Sequence, residues 1–107
     1  MLNNIFKNLP DASHNEIFDD LLTRPGMKVE RIVSQGQATP DGDWLVSDWD
    51  EWVLLLKGKA GLLFEGAPNP VLLTEGDYLL IPSGMNHRVE WTDSDGQTVW
   101  LAIHFNG

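Results

Sequence analysis

The stretch Gly76–Trp91, GDYLLIPSGMNHRVEW, limits the choice of fold more than any other part of the chain. Asp77 to Ile81 is mostly bulky and apolar. Pro82, Ser83 and Gly84 interrupt it, because proline fixes its own φ and donates no amide, and glycine tolerates positive φ. The chain therefore reverses, and His87 follows at once. In an extended His87–Trp91, residues His87, Val89 and Trp91 share one face, with Arg88 and Glu90 on the other. An imidazole on an apolar face, beside a tight turn, marks the mouth of whatever the strands enclose.

The same strand–turn alternation runs from Lys28 onward. Strands are expected at Lys28–Ser34, Glu51–Lys57, Ala60–Glu65, Val71–Thr74 and Thr98–Phe105, with a further short one at Trp44–Asp48. Between them lie turn-forming stretches rich in Gly, Pro and Asp, such as Gln35–Asp43 and Gly66–Pro70. Many short strands at close spacing predict a sandwich or barrel. One helix is expected before them, over about residues 13–23. Ser13 and Glu16 fit a capping box, and Ile17, Phe18, Leu21 and Leu22 fall on one helical face before Arg24-Pro25-Gly26 stops it. The domain division is then an N-terminal segment 1–27 and a β-barrel 28–107.

Two strands are apolar on both faces. Val53 and Leu55 oppose Trp52, Leu54 and Leu56, and Val99, Leu101 and Ile103 oppose Trp100 and Ala102. A barrel has one interior, so the second face needs a cover, and a homodimer through sheet faces is expected.

Composition narrows the function. Seven Lys and Arg stand against sixteen Asp and Glu, a net charge of −9, which speaks against nucleic acid as a partner. There is no cysteine, so no disulfide and no thiolate ligand. No apolar run approaches membrane-spanning length and the N-terminus lacks a signal-peptide pattern, so a cytoplasmic protein with no membrane partner is expected.

The residues now named resemble the cupin superfamily, small double-stranded β-helix barrels of the jelly-roll type. The family's second motif, G-x5-P-x-G-x2-H-x3-N, is met by Gly76, Pro82, Gly84 and His87, with Trp91 in place of the asparagine. The end of its first motif, E-x6-G, is met by Glu51 and Gly58. The resemblance covers about residues 28–105 and implies an all-β cupin barrel, here with one short N-terminal α-helix. In metal-binding members H-x-H precedes the glutamate. The corresponding positions hold Leu45 and Ser47, or Trp44 and Val46, and none is a histidine.

Three functions follow from the resemblance and remain open. In the leading one, a small molecule binds in the interior against Glu51, His87, Trp91, Trp100 and His104. In the second, a divalent metal such as Zn, Fe, Mn or Ni is held by Glu51, His87 and His104, joined by Asp48, in an oxygenase- or isomerase-type enzyme. In the third, Glu51 or His87 acts as a metal-free acid or base on a sugar-like or keto-acid substrate. Against each stands a plainer role, such as a core histidine bound to a carbonyl or tryptophans that only pack. His14 is assigned no role.

Overall fold

The computed structural model describes residues 2–106. Eight strands are found among them: β1 Ile17–Arg24, β2 Met27–Ser34, β3 Asp50–Lys57, β4 Ala60–Phe64, β5 Val71–Leu73, β6 Tyr78–Ile81, β7 His87–Thr92 and β8 Thr98–Phe105. They form a five-stranded sheet, β1-β2-β8-β3-β6, and a three-stranded sheet, β5-β4-β7. Every paired neighbour runs antiparallel.

Parity along the strands builds the interior. Cross-strand partners share a face. Leu55 opposite Trp100, and Val53 opposite Ala102, point between the sheets. They join Ala60, Leu62, Leu73 and Ile81 in one buried cluster. Leu55 is fully buried, worth roughly 2 kcal/mol of apolar burial. The other face of the same strands carries Trp52, Leu54, Leu101 and Ile103, flanked by Leu80 and Tyr78 of β6. This is the second apolar face expected from the sequence, and Tyr78 and Leu80 lie exposed on it.

The expected helix over 13–23 is absent; from Ile17 onward its residues belong to β1. Backbone pairing with β2 from Ile17 to Arg24, with Leu21 passed over, takes up the amides of this edge strand that face β2. A register shift between Asp20 and Leu22 resets the strand's alternation, which is why its apolar spacing imitates a helical face. Ser13 does not cap a helix: its amide donates to the Asp11 carboxylate at 2.9 Å. Glu16 accepts instead from the hydroxyl of Ser34 on β2. Asp19 closes the strand pair with a 2.8 Å ion pair to Arg31. Tertiary pairing outweighs a weak local propensity here.

The long loop before β3 lies along the free edge of β7. Leu45 and His87 exchange backbone bonds at 2.7 and 3.0 Å, and the Thr39 amide donates to Val89 O at 2.9 Å. Of the possible strand at Trp44–Asp48, only Leu45 forms a bridge. The buried Arg88 staples the loop by donating to the carbonyls of Thr39, Pro40 and Asp43 at 3.0 to 3.3 Å. The edge is thereby covered, and the loop becomes a wall of the interior space. Gly58, in the β3–β4 turn, has φ +93°, and a Cβ there would lie 2.6 Å from Thr98 Oγ1. Only glycine suits that position.

Candidate functional site

Between the two sheets, toward the open end, lies a cavity of about 350 Å³. Its apolar wall is Val53, Leu62, Ile81, Val89 and Trp100. Five ionisable side chains enter it: Glu16, Glu30, Glu51, His87 and His104. Each arrives for a local reason. Glu51 is the first inward residue of β3, and His104 is its direct partner on β8. Glu30 occupies the inward row of β2, opposite Ala102. His87 opens β7 on the facing sheet, delivered by the Pro82–Gly84 turn.

The groups fall into two carboxylate–imidazole pairs of different character. One is closed: His104 Nε2 and Glu30 Oε1 are 2.8 Å apart, and Lys28 Nζ stands 3.5 Å from the other Glu30 oxygen. This hydrogen bond holds the Glu30 carboxyl below its ordinary range and raises the His104 imidazole above its own. The other pair is open. His87 Nδ1 lies 2.9 Å from Met85 O. A carbonyl only accepts, so Nδ1 carries the proton and Nε2 is the free nitrogen of the neutral ring. That Nε2 is 3.9 Å from Glu51 Oε1, beyond hydrogen-bond reach. Burial raises the Glu51 carboxyl, against the opposing pull of His104 and His87. A largely buried carboxyl and the open nitrogen of a largely buried imidazole thus face the same space without bonding to each other.

Of the residues expected from the sequence, Glu51, His87, Trp100 and His104 do line the cavity. Trp91 does not. The β4–β7 register shifts so that Trp91 pairs with Gly61 and Val89 with Leu62, leaving Glu90 as an extra residue. This bulge turns Trp91 to the outside, where its ring lies on Gly61. Asp48 is exposed on the loop before β3, outside the cavity. Glu30 and Glu16 were missed. Glu30 was legible as a carboxylate in the same parity as Ile32, whereas Glu16 was hidden by its capping-box spacing.

The proposed metal set does not assemble. Asp48 is elsewhere, Glu30 occupies His104 Nε2, and no group of three or more candidate ligands gathers among the described residues. A divalent ion generally needs three or more protein ligands, so the donors as arranged do not fit one.

Comparison with known proteins gives a consistent result. The family model described as "Cupin domain" matches residues 31–104. A protein of Ralstonia eutropha JMP134, described as a "putative mannose-6-phosphate isomerase", is 45% identical with a TM-score of 0.96, over 100% of this chain and 99% of that one. A cupin superfamily protein of Desulfitobacterium hafniense DCB-2 is 16% identical with a TM-score of 0.76, over 92% and 84% of the two chains. An RmlC-like cupin family protein of Methanocaldococcus jannaschii, with a double-stranded β-helix fold, is 15% identical with a TM-score of 0.71, over 98% and 92%. The last two speak to the fold alone. No curated protein matches the chain.

Proposed function

The chain belongs to the cupin family, and on that premise we propose that it binds a small polar organic molecule inside its barrel. The observation that carries this reading is the open Glu51–His87 pair, 3.9 Å apart at the end of an apolar-walled cavity of about 350 Å³. Such a space, with a few convergent polar groups on apolar walls, is the usual form of a small-ligand site. The protein acts as a homodimer, its outer apolar sheet face covered by a second copy.

The test is a calorimetric titration with hexoses and short keto acids. His87→Ala and Glu51→Ala should melt as the native protein does and lose binding at least tenfold. If either variant unfolds, that residue is structural. If both fold and bind as before, the cavity is not the site.

A second reading is favoured by the raised Glu51 carboxyl beside the free His87 Nε2. In its protonated form Glu51 is a proton donor, and Nε2 of the neutral His87 ring is a proton acceptor, within one apolar-walled cavity. On an aldose, Nε2 takes the C2 proton while the Glu51 carboxyl protonates the carbonyl oxygen, giving an ene-diol; collapse the other way gives the ketose. The Ralstonia relative's description names an isomerase of this reaction type, there on a phosphate ester. D-mannose incubated in D₂O should lose its C2–H signal with the native protein and keep it with His87→Ala. Retention of that signal with the native protein rules this reading out.

A further inference from the structure

We infer that the cavity takes an uncharged, hexose-sized polyol and rejects its phosphate ester. This rests on the reading that the cavity is the binding site, and it commits that site to a ligand class.

The first observation is which charges are present. Glu16, Glu30 and Glu51 line the cavity, and among the described residues no Lys or Arg does. The cationic groups near it each have partners already. Arg88 donates to the carbonyls of Thr39, Pro40 and Asp43 behind the loop. Arg31 holds Asp19 and the Ile5 carbonyl. Lys28 stands between Glu30 and Asp20. His104 is taken by Glu30. A phosphate monoester carries about −1.5 to −2 charges at neutral pH and offers only acceptor oxygens. It needs guanidinium, ammonium or clustered amide donors. Here it would meet the Glu16 and Glu51 carboxyls, the closed Glu30–His104 pair and one uncommitted imidazole.

The second observation is independent of the acids. His87 is 5% exposed, and its Nε2, facing the cavity, has no hydrogen-bond partner among the described residues. A polar atom that opens onto a cavity without a protein partner is a place for a ligand atom. A hydroxyl serves it well, donating to Nε2, while the neighbouring carboxylates accept further hydroxyl protons. Trp100 and Val89 offer apolar surface to the C–H faces of a sugar ring. Hydroxyls on an apolar ring match both the acceptors and the wall.

The experiment uses D-glucose and D-fructose, each with its 6-phosphate and its 6-O-acetyl ester, titrated calorimetrically into the full-length protein. The acetyl ester separates bulk from charge. At least one parent hexose should bind, its acetyl ester within about threefold of it, and its phosphate at least about tenfold more weakly. Glu16→Gln should narrow the phosphate's disadvantage. A phosphate that binds as well as the parent overturns the inference; if His87→Ala abolishes that binding, the cavity reading itself stands. Equal rejection of the acetyl ester shows that size governs, and also overturns it. Failure of both hexoses overturns the inference. Hexose binding indifferent to His87→Ala places the ligand elsewhere and removes both.

Discussion

His87 Nε2 stands 3.9 Å from Glu51 Oε1, near enough for the carboxyl to sense the imidazole and too far for the two to bond. The neighbouring pair shows what closure looks like, with His104 and Glu30 at 2.8 Å. Both pairs join side chains from different strands, so the strands alone do not explain the difference. The Met85 carbonyl, 2.9 Å from Nδ1, orients the His87 ring. Structure is thereby spent on keeping one nitrogen open, which a purely structural histidine would not need.

That openness has a stability consequence at Glu51. Burial raises its carboxyl from the ordinary 4.5, so the folded state disfavours the charged form. A raised acid lets stability fall as pH climbs from the unfolded value through the folded one, with the deficit constant above. Glu51→Gln removes the charge and keeps the shape. It should match the native protein near about pH 4 and exceed it by on the order of 1 kcal/mol near about pH 8. Urea unfolding at the two pH values measures this. A variant less stable than native at the higher pH would show that the carboxylate is satisfied in the fold.

The closed pair should behave in the opposite way. Its hydrogen bond lowers Glu30 from 4.5 and raises His104 from 6.5, with Lys28 and Glu51 also facing the pair. Stability from the lowered Glu30 is lost as pH falls through its folded value. Stability from the raised His104 is lost as pH rises through its own. The pair therefore contributes most between about 4.5 and 6.5. Glu30→Gln should cost about 1–3 kcal/mol in that window and less above it, and the His104 titration followed by NMR should move down. An unmoved His104 would mean that the 2.8 Å contact does not persist in solution.

Much of this was legible in the sequence, and the failures share a cause. Gly76, Pro82, Gly84 and His87 announce the turn and strand because backbone constraints are local. Glu51, Trp100 and His104 follow from strict alternation, which holds over β3 and β8 at those positions. Alternation fails wherever an extra residue enters a strand. The shift at Asp20–Leu22 made β1 look helical, and the bulge at Glu90 turned Trp91 from the cavity to the surface. A bulge is chosen by the partner strand and has no signature in one chain's periodicity. Glu30's tie to His104 spans 74 positions, and nothing local signals it.

The apolar outer face of the five-stranded sheet carries the proposed dimer. Trp52 and Tyr78 meet there in a tilted contact with ring centroids 5.4 Å apart, and Leu80 beside them is 48% exposed. Sedimentation should give a dimer at micromolar concentration. Leu80→Glu should give a monomer with an unchanged melting curve at low concentration, since that side chain makes no part of the buried cluster. A native monomer at micromolar concentration would leave the outer face without a second copy.

The Glu90 bulge itself can be tested through Gly61. A Cβ at Gly61 would sit 2.3 Å from Trp91 Nε1 and 2.8 Å from its Cδ1, so the ring occupies the space a side chain would need. Trp91 is 39% exposed and can swing outward, so Gly61→Ala should cost only about 1–2 kcal/mol, chiefly lost ring packing. In a Trp91→Ala background the clash is gone, and alanine restricts the unfolded chain more than glycine does. There Gly61→Ala should be neutral or stabilising by about 0.4–1 kcal/mol. The two changes should therefore couple by more than about 1 kcal/mol in a double-mutant cycle. Additive effects would place Trp91 away from Gly61, which is where it would be if β7 alternated without a bulge and its ring entered the cavity beside His87.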